Sequence, residues 1–181
     1  MEAFEEDRSD FSDIYCWGYN KNKQLSLKGL KEEDFMQIIE RPRLNKSLFE
    51  ENIVEICSSN QHSLAVNSKG KLLICGMNNF GRLGTAKKQD FEESTSDFAY
   101  IESFQVISSL SDHFITQISC GQNHSLCLTN SGIVFQWGKI LQKVLENPQK
   151  VSELLQQTIV KIDSGQRFSA CLSSKIEFIS F

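Results

Sequence analysis

Three histidines, six cysteines and three runs of carboxylates are the side chains of this 181-residue chain that could carry chemistry. A histidine beside a serine could pair a base with a nucleophile, and His62-Ser63 and His124-Ser125 both offer that juxtaposition. Cysteines at CxxC spacing could hold zinc, but none of the six is so spaced. A glycine-rich loop could cradle phosphate, yet Gly81-Arg82-Leu83-Gly84 lacks the Lys-Ser/Thr that follows in a P-loop. The carboxylates, at Glu2 to Asp13, Glu32 to Asp34 and Asp90 to Asp97, read as solvated surface.

Recurrence takes the histidine–serine pairs out of catalysis. The stretch Ile115 to Gly138 repeats Ile53 to Gly76 and begins again at Ile159. His62 and His124 lie 62 residues apart, as do Ile56 and Ile118, Leu48 and Leu110, Gly70 and Gly132, and Cys75 and Trp137. The next offset is 44, which carries Leu110 to Leu154, Ile118 to Ile162, Gly121 to Gly165 and Cys127 to Cys171. Ser63, Ser125 and Ser169 share one position, and an active-site serine would not recur in every copy. His62 and His124 therefore read as buried, hydrogen-bonded strand residues. His113 falls on a connecting loop without a nucleophile nearby. The cysteines read as small apolar fillers: Cys127 and Cys171 stand where Ala65 does, Cys120 where Ser58 and Ser164 do, and Cys75 where Trp17 and Trp137 do.

The elements that hold these residues are short strands and turns. His62 to Val66 alternates polar and apolar residues, as a half-buried strand does. Asn67 to Gly70 is a tight turn before a return strand, Lys71 to Cys75. Ile53, Ile56, Leu64, Val66, Leu72 and Ile74 are the expected core of this copy. Tyr19 to Leu25 matches Met77 to Leu83, with Asn20 on Asn78, so one loop design is used twice. Ser26 to Arg41 and Thr85 to Glu102 read as insertions, the first containing a helix or a strand. After Gly138 the loop residues are missing, so the chain must take another path there, and Val151 to Gln157 has room for one or two helical turns. The expected division is an acidic lead-in over 1–13, then repeats over 14–181: the tail of one over 14–41, copies over 42–103 and 104–147, and an incomplete copy over 148–181.

A unit of this size cannot bury its faces alone, so neighbouring units must stack. Several short strands per unit indicate an all-β fold, and the period suits the four-stranded blade of a β-propeller. Ile118 to Gly121, His124-Ser125-Leu126, Trp137-Gly138 and Asn78 to Gly84, in this order and phase, resemble the regulator of chromosome condensation repeat family. That resemblance implies a propeller of seven blades, of which this chain would hold about three and a half, a partial propeller. It also implies a protein-interaction scaffold rather than an enzyme, in some members with guanine-nucleotide exchange on a small Ras-like GTPase. The loops expected to meet a partner carry Tyr19, Asn20 and Lys21 in one copy and Asn78, Asn79, Phe80 and Arg82 in the next. An alternative is that these are non-catalytic targeting repeats of a larger enzyme such as a ubiquitin ligase or kinase.

Composition narrows the partners. The net charge of −4 argues against strong nucleic-acid binding, which rests on clustered Lys and Arg. No apolar run approaches the roughly 20 residues that cross a bilayer. The acidic N-terminus lacks the features of a secretory leader, so cytoplasm or nucleus is expected. No cofactor or metal is expected. Half a ring would leave strand edges exposed, so the expectation is a truncated product, a fragment, or an arc completed by a partner or a second copy.

Overall fold

A computed structural model describes residues 13–27, 38–85 and 100–174. Among these residues twelve strands form four antiparallel sheets, arranged as successive blades of a partial β-propeller. The opening half-blade pairs β1 (Tyr15–Tyr19) with β2 (Ile38–Leu44). The first complete blade is β3 (Ile53–Ser58), β4 (His62–Asn67), β5 (Leu72–Met77) and β6 (Tyr100–Val106), in that order. The second is β7 (Ile115–Cys120), β8 (His124–Thr129), β9 (Val134–Ile140) and β10 (Lys143–Lys150). A last pair joins β11 (Ile159–Ser164) to β12 (Ser169–Ser173).

Each blade reuses the same local devices. A single 3-10 turn precedes every innermost strand, at Lys46–Leu48, Ser108–Leu110 and Ser152–Leu154. Leu48 and Leu110 on these turns are buried. Pro42 and Pro148 lie on β2 and β10, the outer strands, where a missing N–H costs no ladder bond. The glycine after Cys75 or Trp137 is required sterically. A Cβ on Gly138, at φ +92, would stand 2.4 Å from the Asn123 carbonyl oxygen, just before the neighbouring strand β8.

The hydrophobic core lies between blades rather than within them. The largest cluster joins Leu64, Val66, Leu72 and Ile74 of the first blade to Ile115, Ile118, Cys127 and Trp137 of the second. A second cluster joins Leu126, Leu128 and Val134 to Ile159 and Ile162 of the last pair. This arrangement corrects the alternating reading of His62 to Val66: every residue of β4 is buried, because a blade lies against both of its faces. Ile56 is corrected in the other direction. It is 41% exposed, whereas its counterparts Ile118 and Ile162 are 5% and 6% exposed. Trp17 and Cys171 also stand exposed where Trp137 and Cys127 are fully buried. All three lie towards the ends of the described arc, where no further blade packs against them.

The two ambiguous connections resolve differently. Ile38–Leu44 is a strand, while residues 28–37 lie outside those described. Of the stretch Thr85 to Glu102, the described part enters strand β6 at Tyr100, and 86–99 lies outside. After Gly138 the chain makes no loop: β9 runs on to Ile140 and turns directly into β10 through Leu141 and Gln142. Leu141 takes φ +54, the left-handed conformation that a two-residue hairpin turn demands.

Candidate interaction face

The loops after β1 and β5 are built alike, atom by atom. The side-chain oxygen of Asn20 accepts from the Leu25 N–H at 2.9 Å, and that of Asn78 accepts from the Leu83 N–H at 2.9 Å. Each loop then locks to the following blade. The Gln24 carbonyl accepts from the Ser63 hydroxyl at 2.7 Å and the Cys75 thiol at 3.4 Å. Its counterpart, the Arg82 carbonyl, accepts from the Ser125 hydroxyl at 2.9 Å and the Trp137 indole N–H at 2.8 Å. The side chains repeat the pattern, with Gln24 donating to the Asn60 carbonyl and Arg82 to the Gln122 carbonyl.

Histidines form the second inter-blade link. His62 is fully buried, with Nδ1 hydrogen-bonded to the Ser59 hydroxyl at 2.7 Å and Nε2 to the Ser125 hydroxyl of the next blade at 2.8 Å. His124 likewise reaches Ser169 at 3.0 Å. Burial, followed by the positive charges of Arg82 and His124, holds the His62 pKa down at about 3. It is a neutral structural group, too weak a base to activate the two hydroxyls it bridges. A third link runs along the innermost strands: the Glu55 carboxylate accepts from the Ile118 N–H, and the Gln117 amide oxygen from the Ile162 N–H.

The residues expected to meet a partner divide by exposure. Asn20 and Arg82 are 1% exposed, and their side chains hold the loops and blades together rather than facing outward. Asn78 is half-buried in the same role. Tyr19, Lys21 and Phe80 project into solvent, and Asn79 is half-buried beside them. Phe80 is held at φ 62 and ψ 23, a backbone conformation uncommon for an aromatic residue. Its ring is 44% exposed, with the Lys139 ammonium 4.7 Å and the Arg82 guanidinium 5.9 Å from its centroid. Burial draws the Arg82 guanidinium down to about 10.

Both loops open onto one groove. It encloses about 780 Å³ and brings Tyr19, Lys21 and Asn79 together with Trp17, Asn60 and Gln61. Sequence reasoning missed Lys139 and Arg82's interlocking role. The signal for Arg82 was present, since it aligns with Gln24; for Lys139 it was only positional, because its repeat counterparts, Met77 and Tyr19, carry no charge. No group of three or more His, Cys, Asp or Glu among the described residues could hold a metal ion.

Four-stranded antiparallel blades, locked in series by repeat-equivalent carbonyls and histidines, define a β-propeller repeat protein. The chain belongs to the Regulator of chromosome condensation (RCC1) repeat family, whose profile matches residues 12–66 and 69–128. It is similar to the probable E3 ubiquitin-protein ligase HERC4 of Rattus norvegicus, with 33% identity over 130 residues, covering 72% of this chain and 11% of HERC4. It is also similar to protein pim1 of Schizosaccharomyces pombe, with 27% identity over 129 residues, 69% of this chain and 23% of pim1. Among solved structures it matches Prp20p of Saccharomyces cerevisiae at a TM-score of 0.77 and 18% identity, covering 92% of this chain and 41% of that one. Human WBSCR16 matches at 0.69 and 20% identity, covering 91% and 41%. The chain thus spans about a tenth to a quarter of the length of these curated relatives.

Proposed function

We propose that the chain is a non-catalytic protein-binding scaffold. Its loop face, formed by Tyr19, Lys21, Asn79, Phe80 and Lys139, takes a folded partner with an acidic surface. The observation that supports this reading is Phe80: an exposed aromatic ring in an uncommon backbone conformation, flanked by cations, on a loop held by half-buried Asn78 and buried Arg82. Rigid exposed aromatics are frequent anchors of protein interfaces. Exposed Lys21, Lys139 and Arg167 add positive charge to this rim, although the chain as a whole is acidic.

The partner class suggested by the family is a small Ras-like GTPase, and the work describing Prp20p names binding to Gsp1p and histones. The likeness to HERC4 favours a second reading, in which these repeats target a larger ubiquitin ligase. In either case the expected site of action is cytoplasm or nucleus. Among the described residues no helix is long and apolar enough to cross a membrane.

The test is a calorimetric titration of the purified chain against small Ras-like GTPases, with release of labelled GDP followed in parallel. Binding that weakens at least about tenfold in a Phe80→Ala, Lys139→Glu variant supports the loop face, since an interface anchor is worth about 2 kcal/mol. Accelerated GDP release supports exchange, and binding without it supports targeting. Binding that ignores both substitutions sinks the proposed face.

A further inference from the structure

Two thiols meet where the two complete blades join. Cys57 lies on β3 and Cys120 on β7, the innermost strands of the first and second blades, and their sulfurs are 2.8 Å apart. Both side chains are half-buried and pack against the inter-blade core. All four strands of each of these blades are described, so the contact is framed on both sides by known structure. It is not a product of the repeat. Cys57 stands in register with Ser119 and Asp163, and Cys120 with Ser58 and Ser164, so each blade supplies its cysteine from a different position. At the next junction the same two places hold Ser119 and Ser164.

We propose that Cys57 and Cys120 form a reversible oxidation site, a dithiol that low-molecular-weight disulfides convert into a disulfide staple between the two blades. The step balances as thiol–disulfide exchange. One cysteine loses its proton, and its thiolate attacks a sulfur of the oxidant, releasing one thiol and leaving a mixed disulfide. The second cysteine, deprotonated in turn, attacks the protein sulfur of that mixed disulfide and expels the other half of the oxidant as a second thiol. Two S–H bonds are lost and one S–S bond is gained in the protein, while the two electrons and two protons end on the reduced oxidant. A second sulfur already in contact makes the closing step intramolecular, and so favours it over release of the protein thiol by a new molecule.

Contact, rather than acidity, distinguishes this pair. Burial raises the thiol pKa of Cys120 as it does those of Cys16, Cys75 and Cys127. Those last three are buried, whereas Cys57 and Cys120 are half-buried. Cys171 is exposed, but among the described residues the thiol sulfurs in contact are those of Cys57 and Cys120. Exchange at Cys171 therefore stops at the mixed disulfide. The staple also lies at the junction that Arg82 bridges. Its guanidinium donates to the Gln61 amide oxygen and to the Gln122 carbonyl, a few residues beyond Cys57 and Cys120. The new bond would close a loop of roughly 60 residues, which narrows the unfolded ensemble and so favours the folded blades.

The test uses the whole 181-residue chain carrying Cys171→Ser, incubated with oxidised glutathione. Proteolytic mapping should recover Cys57 and Cys120 in one cross-linked fragment, with the protein lighter by two hydrogens and carrying no glutathione. The melting midpoint should rise by about 5–10 °C and fall back on treatment with dithiothreitol. Cys57→Ser and Cys120→Ser each install a residue that a repeat counterpart already carries, so both should keep the circular dichroism spectrum. Each should abolish the cross-link and the rise, and leave glutathione on the remaining cysteine. Three results overturn the proposal. One is glutathione retained on Cys57 or Cys120 while both are present. Another is a pair that stays free until urea unfolds the chain. The third is a cross-link that leaves the melting midpoint where it was.

Discussion

Lowering the pH from about 7 to 5 should cost this protein about 2 kcal/mol of stability through His62 alone. The imidazole is fully buried between two hydroxyls, and no carboxylate accompanies it; the charges that act on it, Arg82 and His124, are positive or become so. Its pKa is held at about 3, against an ordinary 6.5 in the unfolded chain. Below 6.5 the unfolded state takes up a proton that the folded state refuses. Stability from this depressed pKa is therefore present above about 6.5 and lost as the pH falls towards 3. Each pH unit in that window is worth about 1.4 kcal/mol, which gives the figure stated. His124, also lowered by burial, adds in the same direction, whereas Glu55, raised by burial, opposes it. The assay is urea unfolding at several pH values for the wild type and His62→Gln. Subtracting the two curves removes His124, Glu55 and every other carboxylate. The difference in stability between the two proteins should shrink by about 2 kcal/mol on acidification. Parallel curves would mean that the folded protein accommodates the imidazolium, and the argument from burial would fail.

Trp137→Ala should destabilise the protein by about 3–5 kcal/mol, because it empties a fully buried site at the junction of two blades. Trp17→Ala, at the repeat-equivalent exposed site, should change the monomer by less than about 0.5 kcal/mol in the same urea titration. Gly138→Ala should cost more than Gly18→Ala. Both meet the left-handed backbone penalty of about 1–2 kcal/mol, but only the former drives a Cβ into the Asn123 carbonyl. The Cys57 and Cys120 sulfurs lie 2.8 Å apart on the innermost strands of adjacent blades. Treatment with a small disulfide oxidant should remove these two thiols together, as read by mass spectrometry. The reaction should quicken as the pH rises, because burial raises the Cys120 thiol pKa. Separate loss of either thiol would show that the strands part in solution.

Much of the fold is legible from spacing because each blade is a local object. Hairpin strands, the turn at Asn67 to Gly70, the helical turn within Val151 to Gln157, and the paired loop asparagines follow from contacts within a few tens of residues. The buried, hydrogen-bonded state of His62 and His124 was legible for the same reason: recurrence points to scaffolding. Of the proposed interaction face, the sequence matched the two loops to each other as one design. It did not separate the side chains that hold them from those that protrude. Asn20 and Arg82 turn inward because carbonyls and N–H groups of the loops and the next blade need partners, while Tyr19 and Phe80 have none to reach.

Burial is the property that only the tertiary structure decided. Ile56 and Ile118, Trp17 and Trp137, and Cys171 and Cys127 occupy equivalent places in the repeat, yet one member of each pair is exposed and the other buried. A blade buries its faces against its neighbours, so a residue's exposure depends on its blade's place in the arc. Tandem copies of one pattern determine what each blade is. Whether a blade has a neighbour on each side depends on the assembled arc, because the hydrophobic contacts that exclude water run between units rather than along them.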